Sequence, residues 1–127
     1  MAQGTSYSGG LAEVKPSRLA KPPSHYRDFF AIEYSISSKI AIYYVSGEVL
    51  VGNPGIEALL YYRVPQGLNA KILMLDLVLI QRPGVWPDVE TWVSAKYIRM
   101  GKPGQYTDVD ILNAAFGKHA VKVLKLP

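Results

Sequence analysis

Hydrophobic and polar residues fall into short runs along this chain, most with a period of two, and the most apolar run is Ala70 to Gln81, AKILMLDLVLIQ. Leu73, Leu75, Leu77 and Leu79 share one side of any strand formed there, while Ile72, Met74, Val78 and Ile80 share the other, interrupted by Asp76. Apolar side chains on both faces mark a strand covered on both sides, so this segment is expected at the centre of a small sheet with something packed on each face. Gly67 before it and Arg82-Pro83-Gly84 after it keep the segment at strand length rather than the length of a buried helix.

Upstream, Asp28 to Ser37 alternates, with Phe30, Ile32, Tyr34 and Ile36 on one face and Glu33 and Ser35 on the other, the pattern of a half-buried strand. Ile40, Ile42 and Tyr44 then align, and EVLVG follows Ser46-Gly47, so these runs read as a meander. At Asn53-Pro54 the period changes. Asn is a good N-cap and Pro suits the first helical position, so Ile56, Leu59 and Leu60 are expected on one face of a helix ending before Pro65 and Gly67. Val89 to Met100 has partial helical spacing, but its Val, Thr, Trp, Tyr and Ile content predicts a strand. Thr107 with Asp110 three residues later is a variant capping box, and Val109, Leu112 and Phe116 form the stripe of a second helix stopped by Gly117. Ala120 to Pro127 reads as a last short strand. The expected fold class is therefore α+β, a small and mostly antiparallel sheet with two short helices packed on it.

Residues 1–26 are rich in Gly, Ser, Pro and basic residues and lack periodic apolar positions, so they are expected to form a flexible basic arm ahead of one domain at 27–127. The absence of cysteine excludes disulfides and thiolate metal sites. No apolar run approaches the roughly 20 residues of a membrane-spanning helix, and no signal-peptide block opens the chain, which predicts a soluble, non-secreted protein. Charge adds more. The net +4 divides into basic ends and an acidic middle: residues 28–95 carry four bases against seven acids. Lys15, Arg18 and Lys21 at one end, with Lys118, Lys122 and Lys125 at the other, are the candidate contacts for an acidic partner, phospholipid or nucleic acid. Within the arm, Pro22, Pro23 and Tyr26 resemble a proline-tyrosine docking motif one residue longer than PPxY, the alternative being a polyproline linker. Trp86, between Val85 and Pro87 in a turn-rich loop, reads as a core anchor, with an exposed contact as its alternative.

Motifs for catalysis are missing. The chain has no HExxH, no GxSxG, no GxGxxG and no GK[ST], and neither His25 nor His119 has a ligand-spaced neighbour, so no cofactor or metal is expected and an enzyme finds no support. Asp76 is the one residue whose surroundings suggest a perturbed carboxylate. A structural, hydrogen-bonded role is the competing reading to a general base.

Lys96-Tyr97 followed by the run Asn113 to Phe116, NAAF, resembles the C-terminal part of bornavirus matrix proteins. Tyr106-Thr107-Asp108 opening the element before a last basic strand, and a basic proline-containing arm ahead of Phe29-Phe30, resemble rhabdovirus matrix proteins. The similarity to matrix proteins of nonsegmented negative-strand RNA viruses implies a non-enzymatic virion protein beneath the envelope and at the inner face of host membranes. Such a protein self-associates, binds anionic phospholipid, and links membrane to nucleocapsid during budding. The alternative from another class is a small RNA- or single-stranded nucleic-acid-binding protein using the same charges.

Overall fold

The structure, a computed structural model, describes residues 18–23, 25–113 and 117–127. Among these residues the chain forms strands only: β1 (Arg18–Leu19), β2 (His25–Ser35), β3 (Ala41–Val51), β4 (Ile56–Tyr62), β5 (Ile72–Gln81), β6 (Thr91–Gly101), β7 (Asp108–Asn113) and β8 (Gly117–Leu126). The α+β expectation is thus overturned by a curled, mixed, all-strand sheet.

The sheet folds over into two layers. In the first, β5 lies between β4 on one edge and, on the other, β7 along its first half and β1 at its far end. In the second, β3 lies between β2 and β6. Strand β8 belongs to both, pairing antiparallel with β7 over Gly117–Lys122 and parallel with β2 over Val123–Leu126. β4 packs near β6 at the opposite corner, so the inner faces of the two layers close on one core.

Alternation decides what fills that core. Leu73, Leu75, Leu77 and Leu79 of β5 are 0–4 % exposed and face Tyr43, Val45, Val49 and Val51 of β3 across it. The second face of β5, expected to be covered as well, is only half-buried. Both expected helices are strands. Asn53 Oδ1 accepts the Gly55 N–H (2.9 Å) and the Asn53 carbonyl accepts the Ile56 N–H (3.3 Å), so the cap-like chemistry builds a turn between layers. Ile56, Ala58 and Leu60 then alternate into the core in full register with β5. Likewise the Thr107 hydroxyl donates to Asp108 Oδ1 (2.8 Å) instead of capping a helix, and Val109 and Ile111 are fully buried at strand spacing. In both segments, partner ladders and a buried face outweigh local propensity. Phe116 lies outside the described residues.

One irregularity shapes the second layer. Asp28 takes a left-handed backbone (φ 57°) in a bulge between Arg27 and Phe30 that turns the Phe29 ring onto Gly47, where a Cβ would collide with it. Arg18, Leu19, His25 and Tyr26 are all paired in the sheet, ahead of the boundary expected at residue 27.

The strand assignment of 56–62 makes opposite demands on neighbouring residues. Ala58→Glu should cost more than about 3 kcal/mol by burying an unpaired carboxylate, while Leu59→Gln should cost about 1 kcal/mol, as read from urea unfolding midpoints. A helix with Leu59 at its buried centre would reverse the order.

Candidate interaction surface

The residues singled out for an acidic partner do not converge. Lys15 lies outside the described residues. Arg18 and Lys21 line a cleft of about 440 Å³ at one end of the molecule, whose wall also holds Asp88 and Glu90. Lys118 and Lys122 project from the outer face of the first layer. There their ammonium groups lie 3.9 Å from Asp110 and 3.0 Å from Asp108. Lys125 has the opposite parity on β8 and approaches the buried Glu33 at 3.9 Å. Each C-terminal lysine therefore already meets a carboxylate, and the three divide between two faces. Pro22 is exposed, Pro23 is buried, and Tyr26 opposes Val49 in β2 with its ring 4.6 Å from that of His119.

Other candidates have structural settings. Asp76 pairs with Arg63 (3.4 Å) on the outer face of β5. Trp86 lays its indole over Gly55, where a Cβ would collide, and donates its N–H to the Arg82 carbonyl (3.1 Å), which anchors the β5–β6 loop. Among the described residues no group of His, Asp and Glu is arranged to hold a metal ion.

The feature that emerges is the outer face of the second layer. The alternation of β2 turns Ala31 and Glu33 into the core, and Phe30, Ile32 and Tyr34 outward. Register then assembles two transverse rows across β6, β3, β2 and β8, one of Met100, Ile42, Tyr34 and Leu126 and the other of Ile98, Tyr44, Ile32 and Leu124. Phe30 extends the patch, in line with Ser46 and Lys96. Phe30, Tyr34, Ile98, Met100, Leu124 and Leu126 are 41–67 % exposed. At roughly 200 Å² for a large apolar side chain fully bared, these six leave on the order of 650 Å² open, above the largest patch of a typical monomer. A signal for it was present in the sequence: β2 and β3 carry large apolar residues at positions of both parities, as in AIYYV.

Beneath this face lies a buried polar node. The Tyr43 hydroxyl has the Lys102 carbonyl (2.7 Å) and Glu33 Oε1 (3.0 Å) in reach of its one hydrogen, and it accepts the Gln105 N–H (3.0 Å). The Gly104 N–H, presented by a left-handed backbone (φ 74°), donates to Glu33 at 3.2 Å. Burial pushes the Tyr43 hydroxyl above its ordinary value of 10.0, and the Glu33 carboxylate acts in the same direction, against the backbone N–H groups of Tyr106 and Gln105. On the opposite face, the Thr107 hydroxyl and then the Lys122 ammonium hold Asp108 below its ordinary value of 3.8.

Compared with known proteins, the chain matches no family model, no curated protein and no solved structure.

Because the folded Tyr43 value is raised, its contribution is fully present below the unfolded tyrosine value near pH 10 and is lost as pH rises through the folded one. Tyr43→Phe should lower stability by about 1–3 kcal/mol at neutral pH, since the Gln105 N–H and the Glu33 carboxylate lose a buried partner. It should also flatten the alkaline limb of a stability-versus-pH curve measured by urea unfolding. An unchanged limb would place the titrating group elsewhere.

Proposed function

We propose that this is a non-catalytic structural protein of the matrix type, which works by laying the outer face of its β2–β3–β6 layer on a partner surface and assembling there. The observation that supports this is the apolar face itself. Eight side chains of two cross-strand rows, with Phe30, form one continuous area spread over four strands. Such a face stays exposed only at a cost in water, and patches of this size mark interaction sites. The first layer presents the contrast. Its outer face carries the pairs Arg63–Asp76, Arg82–Glu57, Lys118–Asp110 and Lys122–Asp108 among the half-buried Ile72, Met74, Val78 and Ile80, so charge there is interspersed with apolar side chains. Nucleic-acid binding through the terminal cations is less well supported, because those cations are dispersed and the C-terminal three face carboxylates.

Replacing Ile98 and Met100 together by Ser should leave stability within about 0.5 kcal/mol per site, since both are about two-thirds exposed. In fractionated expressing cells the wild-type chain should pellet with membranes or large assemblies, and the I98S/M100S variant should move to the supernatant. Identical distributions of two equally folded proteins would remove this reading.

A further inference from the structure

We propose that the opening between the two layers at the β1 end binds an adenine nucleotide, a small ligand held apart from the apolar docking face. Register builds the site. The inward row of β5, Leu73 to Leu79, ends in Gln81, which pairs with Arg18 of β1 on one side and with Ile56 of β4 on the other. Cross-strand partners share a face, so Arg18 stands beside Gln81 at the opening. Two adjoining lobes of about 270 and 440 Å³ lie there, both lined by Arg18, Asn53 and Gln81. The larger has the volume of a small-molecule site, and the open end of a closed or nearly closed sheet is a usual place for one. Trp86 lines the smaller lobe, and Lys21, Asp88 and Glu90 line the larger.

Asn53 and Gln81 form a reciprocal amide pair. Asn53 Nδ2 donates to Gln81 Oε1 (2.7 Å), and Gln81 Nε2 donates to Asn53 Oδ1 (3.1 Å). Backbone groups occupy one edge of the pair, since the Gly55 N–H donates to Asn53 Oδ1 (2.9 Å) and Gln81 Nε2 donates to the Arg82 carbonyl (3.1 Å). These contacts fix which way each amide is turned. The other edge holds the second N–H of Asn53 Nδ2 beside the second acceptor position of Gln81 Oε1, and neither has a partner among the described residues. A donor next to an acceptor is the complement of adenine, which offers an amino group beside an accepting ring nitrogen, and Asn and Gln read that base by the same two-bond pattern. The Trp86 indole, held over Gly55, adds an aromatic wall to the lobe that would take the base.

Charge at the opening fits the rest of a nucleotide. Arg18 and Lys21 have no carboxylate partner among the described residues, which leaves both for a phosphate. Asp88 and Glu90 are likewise outside every ion pair there, and a carboxylate accepts the hydroxyls of a ribose while repelling further phosphates. A free mononucleotide therefore suits the cleft, whereas the backbone of an RNA strand would have to pass the two acids.

The test is isothermal titration calorimetry of the full chain with adenosine monophosphate, adenosine, ribose phosphate and a single-stranded oligoadenylate. Adenosine monophosphate should bind at least about tenfold more tightly than ribose phosphate, which lacks the base edge. It should also bind about tenfold more tightly than adenosine, which lacks the charge. Arg18→Gln with Lys21→Gln should abolish the preference for the monophosphate over adenosine. Asn53→Asp keeps the acceptor for the Gly55 N–H but puts an oxygen where the open donor was, and should weaken both ligands at least about tenfold. A readout on the wild type does not depend on how any variant folds: the side-chain amide NMR resonances of Asn53 and Gln81 should shift with adenosine monophosphate and stay in place with ribose phosphate.

No binding of adenosine monophosphate at millimolar concentration, or amide resonances that it does not move, would overturn the assignment. Ribose phosphate bound as tightly as the nucleotide would reduce the site to one for anions and overturn the base contact. Tighter binding of oligoadenylate than of the mononucleotide would overturn it in favour of RNA. Folded variants that bind both ligands as the wild type does would also overturn it, by placing the ligand elsewhere.

Discussion

The hydroxyl of Tyr43 is the point on which the two layers depend. It is buried on β3 of the second layer, yet its partners are the backbone of the loop that carries the chain from β6 back to β7 of the first. Glu33, from β2, secures the same loop through Gly104 and receives Lys125 from the end of β8. A carboxylate placed in a core is costly unless its oxygens are satisfied, so the loop, β2 and β8 are held in one mutual arrangement. Both parallel pairings, β5 with β7 and β2 with β8, adjoin this node, and neither could be made by a simple hairpin.

The molecule is two-sided in a way that its composition conceals. The chain's 14 bases and 10 acids are unevenly placed: four ion pairs lie on the outer face of the first layer, while the second layer shows hydrocarbon beside the Arg27–Glu48 pair. Strand parity produces this separation. On β8, Lys118 and Lys122 lie over acids of β7, whereas Leu124 and Leu126, of the same parity but past the point where the strand changes layers, join the exposed apolar rows.

How far the sequence could be read depended on how much a residue's own neighbours determine its environment. The alternating leucines of β5 announced a strand because four large side chains two apart leave little choice. Ala58 hid β4: a small residue contributes weakly to any periodicity, yet it is buried where the layers approach, as are Ala31, Ala41 and Ala95. For β2 the alternation was legible but its sense was not. Period two identifies two faces without naming the inner one, and here it is the face of Glu33, made tolerable by Tyr43 and Gly104, that turns to the core. The terminal lysines were visible as charges, but the acids opposite them come from β7 and β2, cross-strand partners that spacing along the chain does not reveal. The exposed apolar face is illegible in the sequence for the same reason, since its rows exist only in the register of four strands.

The pairing of Val123–Leu126 with Ala31–Tyr34 has a consequence for how the protein comes into being. One edge of β2 is left without a neighbour until nearly the whole chain is available, and a parallel ladder between such distant segments is formed late and slowly. A nascent chain emerging from the ribosome would hold β2, β3 and β6 with an unfinished edge and an apolar exterior, a species prone to stick to others of its kind. Slow refolding that competes with aggregation, and a need for chaperone protection during synthesis, follow from where that one strand finds its partner.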